Sequence, residues 1–199
     1  MIRALYYSSR SPLDTAYPVA RFKDALRNKH GVLWVDFAGE PDERCEPILS
    51  KVFQFHHLAV DDALQETHVP KVDDWGDYLY IVLSTLDLDD TMNDGALHTH
   101  ELDIFLGPNY VVTHHDDPLP AIDQAWAACQ RDFRHTRNGP DHLLYRIIDF
   151  TVAAYMPIVE RMDEEIDVLE DQIFDKPGPR TLESLFALKR SLLAMRRVI

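Results

Sequence analysis

Two kinds of side chain are grouped closely enough in this chain to do chemistry, carboxylates and imidazoles. Asp61 and Asp62 are adjacent within FHHLAVDDALQETHVPKVDDW, and Asp73 and Asp74 form a second pair a little further on. Paired carboxylates can act as acid and base. They can also hold a hard divalent cation such as Mg2+, which takes oxygen ligands and keeps several of its waters. A cation held through its hydration shell needs no compact ligand string, so acids far apart in sequence, or on different subunits, suffice. The ten histidines include His56-His57, His98-x-His100 and His114-His115. Residues two apart on a strand face the same way, so His98 and His100 could together ligate a transition metal with Glu101 or Asp103 near; the alternative is a pair of polar residues on an exposed strand. The sequence holds no HExxH, CxxC, GxSxG, GxGxxG or Walker string, so no hydrolase elbow or nucleotide loop is supported by motif.

The spacing around these residues predicts the elements that position them. Leu58, Ala59, Asp62, Ala63 and Glu66 recur at helical intervals, which sets the paired acids on a helix with an apolar side. Val69-Pro70 ends it, because proline disfavours the helical conformation in the residue before it. An aromatic-rich strand, Tyr78 to Leu83, follows. Residues 1–138 read as mixed α/β, with strands at Ile2–Tyr7, Val32–Phe37 and about 77–88, 97–106 and 109–115. A helix is expected over Pro18–Asn28, and another opens at Pro41 with Cys45, Ile48, Leu49, Val52 and Phe53 on its apolar side. Gly107-Pro108-Asn109 is the tight turn between the last two strands. Strands separated by helices imply a mixed β-sheet flanked by helices, an α+β fold layered α/β/α.

After about Pro140 the pattern changes. Tyr155, Val159, Met162, Ile166, Leu169 and Ile173 form a heptad seam. Pro177-Gly178-Pro179 breaks it, and Leu185, Leu188, Leu192, Met195 and Ile199 resume it, so residues 139–199 are expected to form a long antiparallel helical hairpin. The seam is still in phase at Ile199, so the second helix is expected to run on into a longer stalk.

Composition bounds the function. With 199 residues, 46% of them hydrophobic and 27% charged, the chain can bury one core with a helical extension. A net charge of −14 argues against nucleic acid and against docking on anionic lipid. The longest apolar runs are strand-length, short of the roughly 20 residues that cross a bilayer. Cys45 and Cys129 are too few for a disulfide framework, which fits a reducing, cytosolic compartment.

The order of these fragments resembles the cytosolic domain of the CorA family of divalent-cation transporters. The residues that carry the likeness are the helix after His56, Pro70-Lys71-Val72-Asp73, Leu33–Phe37, Glu101–Gly107 with Asn109–Thr113, Leu143–Asp149 and Ile166–Glu170. One departure is His57, which stands where the family usually has proline. The family's Gly-Met-Asn motif falls beyond Ile199. The resemblance implies an α/β/α domain on the cytoplasmic face of the cell membrane that senses metal and gates transport, with no catalysis. It implies a homopentamer whose membrane helices lie further along the chain. It also implies low-affinity regulatory Mg2+ between neighbouring subunits, held here by Asp61, Asp62 and Asp149 together with an acid beyond Ile199. Two other readings stand beside it: a zinc-handling branch of the same family, which the histidines favour (Zn2+ in place of Mg2+), and a soluble metal-dependent enzyme with a helical dimerisation arm.

Overall fold

A computed structural model describes residues 1–9, 11–65, 69–87, 97–175 and 178–198. At its centre β3 (Gly31–Ala38) and β7 (Tyr110–His115) run parallel, from Leu33 opposite Tyr110 to Ala38 opposite His115. Both are buried at nearly every position, as parallel strands covered on both faces must be. Around them the sheet is seven-stranded, in the order β2-β1-β3-β7-β6-β5-β4. β1 (Ile2–Ser8) lies antiparallel to β3 and carries the short edge strand β2 (Ser11–Asp14). On the other side β6 (His98–Gly107) pairs antiparallel with β7, followed by β5 (Leu79–Asp87) and the edge strand β4 (Lys71–Asp74). The expected mixed, layered sheet is therefore present, with two short polar edge strands that carry too little alternation to be read from sequence.

The helices cover both faces. On one, α1 (Phe22–Arg27, after a 3-10 turn at Val19–Arg21), α2 (Asp42–Lys51) and α3 (His57–Leu64) pack Phe22, Cys45, Leu49, Ala59 and Ala63 against Val35, Phe37, Tyr80, Phe105 and Val112. On the other, α4 (Pro120–Arg131) and α6 (Pro140–Ala153), with the short α5 (Arg134–Arg137) between them in the chain, set Ile122, Trp126, Cys129, Leu143 and Ile147 against Leu5, Trp34, Ile104 and Val111. The sequence reading names no element over α4, although Pro120 at its first turn and the spacing of Ile122, Trp126 and Cys129 are helical signals. The β6–β7 turn is held by two residues. A Cβ on Gly107 would come within 2.1 Å of the Tyr110 ring. The Asn109 amide donates to the carbonyls of Ala25, Leu26 and Asn28 at 3.1–3.3 Å, closing the end of α1.

Contacts divide the chain into two compact units, Met1–Ser84 with Glu101–Phe150, and Thr85–His100 with Thr151–Ile199. A single cut after residue 138 follows the change in composition, whereas these boundaries follow packing: Leu143 and Ile147 of α6 belong to the core on the sheet. In the second unit α7 (Met156–Asp175) and α8 (Pro179–Val198) pack on each other, and so short a connection makes them antiparallel. Their seam differs from the expected one. Ile158, Met162, Leu169, Leu188 and Met195 are buried, while Val159, Ile166, Leu185 and Leu192 are 42–45% exposed and Ile173 is 50% exposed. A helix facing one partner buries one narrow stripe, so the neighbouring apolar positions stay outward. Glu66, Leu88, Pro177 and Ile199, which the sequence places in a helix, a strand, a break and the seam, lie outside the described residues. Among the described residues the helical stretch Pro140–Phe174 contains one 18-residue window, of mean hydropathy 1.2, that is long and apolar enough by composition to cross a membrane. It nevertheless contributes Leu143 and Ile147 to the sheet core.

After α2 the chain turns through Gln54 at φ 61°, the one non-glycine residue with positive φ among those described. This lets the Phe55 amide return to the Leu49 carbonyl at 3.1 Å and stacks Phe55 on Phe105 with centroids 4.1 Å apart. The left-handed region costs an L-residue about 1 kcal/mol. Gln54→Gly should therefore raise the stability by about 0.5–1 kcal/mol, while Gln54→Val should lower it, because a β-branched residue tolerates that region worst. Urea midpoints at unchanged m-value give the order, and a glycine variant less stable than the parent would show that this backbone is not left-handed in solution.

Candidate metal site

The acids expected to hold Mg2+ are set by α3 and α6. Ala59, Val60 and Ala63 pin one side of α3 to the sheet, which turns Asp61 outward and leaves Asp62 half-buried. His56 caps this helix: its Nδ1 accepts from the Leu58 amide at 3.3 Å, and its ring stacks on Trp75 and His57 with centroids 4.5 and 4.3 Å away. The His56-His57 pair is thus accounted for by capping and stacking. Lys71 of β4 reaches back to pair with Asp62, and lies 3.0 Å from Asp73. The hydrogen bond to Asp62, with help from Asp73, holds the Lys71 ammonium above its usual pKa. Asp149, exposed on α6, is paired with Arg146 at 2.9 Å. Within one chain, then, Asp62 and Asp149 each face a fixed cation.

Nor does one chain bring the three acids together. α3 packs on the face of the sheet that holds Tyr80 and Phe105, and α6 on the face that holds Trp34 and Val111. Among the described residues no group of three or more His, Cys, Asp or Glu side chains gathers closely enough to hold a metal ion. His98 and His100 share a half-buried face of β6, as the alternation predicts, and the His98 Nε2 has no hydrogen-bond partner, but no third ligand joins them among the described residues.

The third histidine pair leads to the titratable groups that sequence reasoning did not single out. Adjacent strand residues point to opposite faces, so His114 and His115 enter different cores, each about 97–98% buried. His115 donates from Nδ1 to the Asp117 carbonyl at 2.6 Å, and its Nε2 lies 3.3 Å from the Asp36 carboxylate. The contact with the Asp117 carbonyl requires a proton on Nδ1, while Nε2 faces Asp36 at ion-pair distance with no hydrogen bond among the described residues. Burial pulls the His115 pKa down, and the Asp36 carboxylate outweighs it, so the net shift is upward. Asp36 also takes the Thr113 hydroxyl at 2.6 Å and the Arg3 guanidinium at 2.8 Å. Burial alone would raise its carboxyl, yet His115, Thr113 and Arg3 together hold it below the usual range.

On the opposite face Asp103 accepts the Tyr80 hydroxyl at 2.5 Å, and its other oxygen is 3.8 Å from His114 Nδ1. Burial pushes the Asp103 carboxyl up to about 6, against smaller downward pulls from His114 and Tyr80. A folded-state pKa above the unfolded one means that ionised Asp103 costs stability. The cost is absent below about pH 4 and grows as pH rises through about 6. Asp103→Asn keeps an acceptor for Tyr80 and removes that cost. The variant should match the parent near pH 4 and exceed it at pH 7, by at most about 3 kcal/mol at 1.36 kcal/mol per unit. Denaturant titrations at pH 4, 5, 6 and 7 read the difference, and a difference that stays constant over the range would assign the raised pKa elsewhere.

Residues 29–199 match the family described as CorA-like Mg2+ transporter protein. The relatives include "Putative metal ion transporter YfjQ" of Bacillus subtilis, 32% identical over 83% of this chain and 50% of that protein. They also include "Cobalt/magnesium transport protein CorA" of Thermotoga maritima, 27% identical over 87% of this chain and 49% of that protein. The chain thus spans about half the length of these relatives. Among solved structures, the soluble domain of CorA from Methanocaldococcus jannaschii superposes with a TM-score of 0.77 at 20% identity, covering 100% of this chain and 74% of that one, a likeness of fold. With the family matched over residues 29–199 and the fold agreeing, the chain belongs to the CorA-like Mg2+ transporter family.

Proposed function

We propose that this chain is the metal-sensing, gating portion of a CorA-like transporter for Mg2+, acting at the cytoplasmic face of the membrane as one subunit of a homopentamer and catalysing no reaction. The observation that carries the reading is the family match over residues 29–199, together with relatives whose names specify magnesium, cobalt and metal-ion transport. Charge supplies the mechanism. Each copy carries −14, and gathering several copies around one axis is costly unless cations neutralise the surfaces that meet. Asp61 faces outward, and Asp149 stands on the other side of the sheet. A hydrated Mg2+ shared by these acids would therefore bridge two subunits, with Asp61 of one and Asp149 of its neighbour as contacts. Such ions favour the closed, symmetric ring. When Mg2+ falls they leave, like charges repel, and the ring loosens.

The fixed cations refine this scheme. Lys71 already pairs with Asp62 and Asp73, so an ion gains less at Asp62 unless Lys71 moves, and Asp61 becomes the principal acid of α3. In the full-length protein Asp61→Asn and Asp149→Asn should shift inhibition of flux to higher internal Mg2+, and Asp62→Asn should shift it less. Lys71→Gln frees two carboxylates and should shift inhibition to lower Mg2+. Each change is expected to be a few-fold, in line with one partly exposed charge contact of about 0.5–1 kcal/mol. Flux into vesicles against internal Mg2+ reads all four, and four curves superimposing on the parent's would overturn the sensor. In parallel, millimolar MgCl2 should raise the unfolding midpoint of this chain above that in NaCl of equal ionic strength.

A further inference from the structure

A cavity of about 540 Å3 opens where α1, the loop after α2 and the β6–β7 turn meet. All of it lies in the sheet unit. Lys23 and Arg27 stand on its rim, one helical turn apart on α1 and so on one face of that helix. Phe53 and Tyr110, each 8% exposed, form an apolar floor with ring centroids 5.2 Å apart. Gln54, held in its left-handed turn, and Asp77 also line the cavity. The remaining charge near the rim is Asp24, a loose 3.7 Å from Arg27. Asn109 also lines the space, but its amide is spent on three backbone carbonyls and its part is structural.

We propose that this cavity binds a small organic phosphate whose far end carries hydrogen-bond donors, a nucleoside phosphate being of fitting size. Four features carry the assignment. Two cations stand on one rim in a chain of net charge −14, and among the described residues they serve no ion pair shorter than the loose one to Asp24. An arginine fork beside a lysine point charge is suited to a phosphate. The apolar floor accommodates a flat body. Asp77 repels a second anion and accepts from an amino or hydroxyl group, so bare pyrophosphate is the poorer ligand. The volume is within the usual range for small-molecule sites, about 300–1,000 Å3. The acids Asp61, Asp62 and Asp149 line no part of the cavity, so the proposal stands independently of the metal reading.

The cations are exposed, so binding should be weak, with Kd about 0.1–1 mM. The test titrates ADP, adenosine and inorganic pyrophosphate into this chain with EDTA present, which removes the divalent-cation reading from the experiment. Amide shifts in the NMR spectrum report the site. ADP should move the amides of Gln54 and Tyr110 with saturation. Lys23→Ala combined with Arg27→Ala, both on the surface, should weaken ADP at least about tenfold while leaving the unfolding midpoint unchanged. Asp77→Asn should weaken ADP and strengthen pyrophosphate. No saturable shift at 5 mM ADP, about five times the weakest Kd expected, would overturn the proposal, as would full binding by the double variant. Pyrophosphate or adenosine binding as tightly as ADP would overturn the two-ended ligand.

Discussion

The parallel pairing of β3 with β7 is the constraint on which the sheet unit depends. Two parallel neighbours cannot be joined by a hairpin, so the chain between Ala38 and Tyr110 must leave the sheet and return. That excursion supplies α2, α3, β4, β5 and β6. Placing the pair in the middle buries both of its faces, and the polar residues it carries must then find partners inside. On one face they do so in series: the Trp34 indole donates to the Thr113 hydroxyl at 3.0 Å, Thr113 to Asp36, and Arg3 bridges Asp36 and Asp123 while lying 4.6 Å over the Trp126 ring. Strands β1, β3 and β7 and helix α4 are tied through one carboxylate. A buried pair of this kind adds little over a hydrophobic substitute, but losing one partner strands the others, at a cost of about 3–5 kcal/mol.

The same excursion decides where the acids go. α3 lies between two segments that must pack on one face of the sheet, so Asp61 is carried out on that side. α6 comes after β7, crosses to the other face with Leu143 and Ile147 as anchors, and carries Asp149 with it. A site built from both acids is incomplete in a single chain for a topological reason. Lys71 has a comparable origin. An edge strand keeps its charged residues at the border of the sheet, and there Lys71 settles between Asp62 and Asp73, with its ammonium 5.2 Å over the Tyr80 ring.

Much of the fold was legible because its signals are local. Val32–Phe37 read as a strand from its apolar run, a strand was expected at about 109–115, and the turn before it was legible from Gly107-Pro108-Asn109. The helix bearing Asp61 was legible from period and from Pro70. What escaped depends on neighbours in space. Ser11–Asp14 and Lys71–Asp74 are strands only because a longer strand lies beside each. The ion pair at Asp62 could not be foreseen, since Lys71 reaches it from a different element, whereas Arg146 and Asp149 stand three apart on one helix, a spacing that could have shown their pairing. His114 and His115 were visible as a pair, whereas their burial on two different sides follows from helices covering both faces of β7.

The hairpin shows the limit of periodicity in another form. A heptad repeat identifies positions that can be buried, and the number of partners decides how many are. In the cluster that α7 forms with α8 and with Leu86 of β5, Ile158 joins Met162 and Leu169 inside while Val159 and Ile166 stay at the margin. Charge on the two helices is unequal: α7 and the residues just after Met156 carry eight acids against Arg161, and α8 carries five bases against Glu183. Antiparallel packing sets an acidic helix beside a basic one, which lowers the repulsion that the acids of α7 would otherwise exert on one another. The hairpin thus compensates part of its own negative charge, as Arg3, Lys71 and Arg146 compensate part of that in the sheet unit.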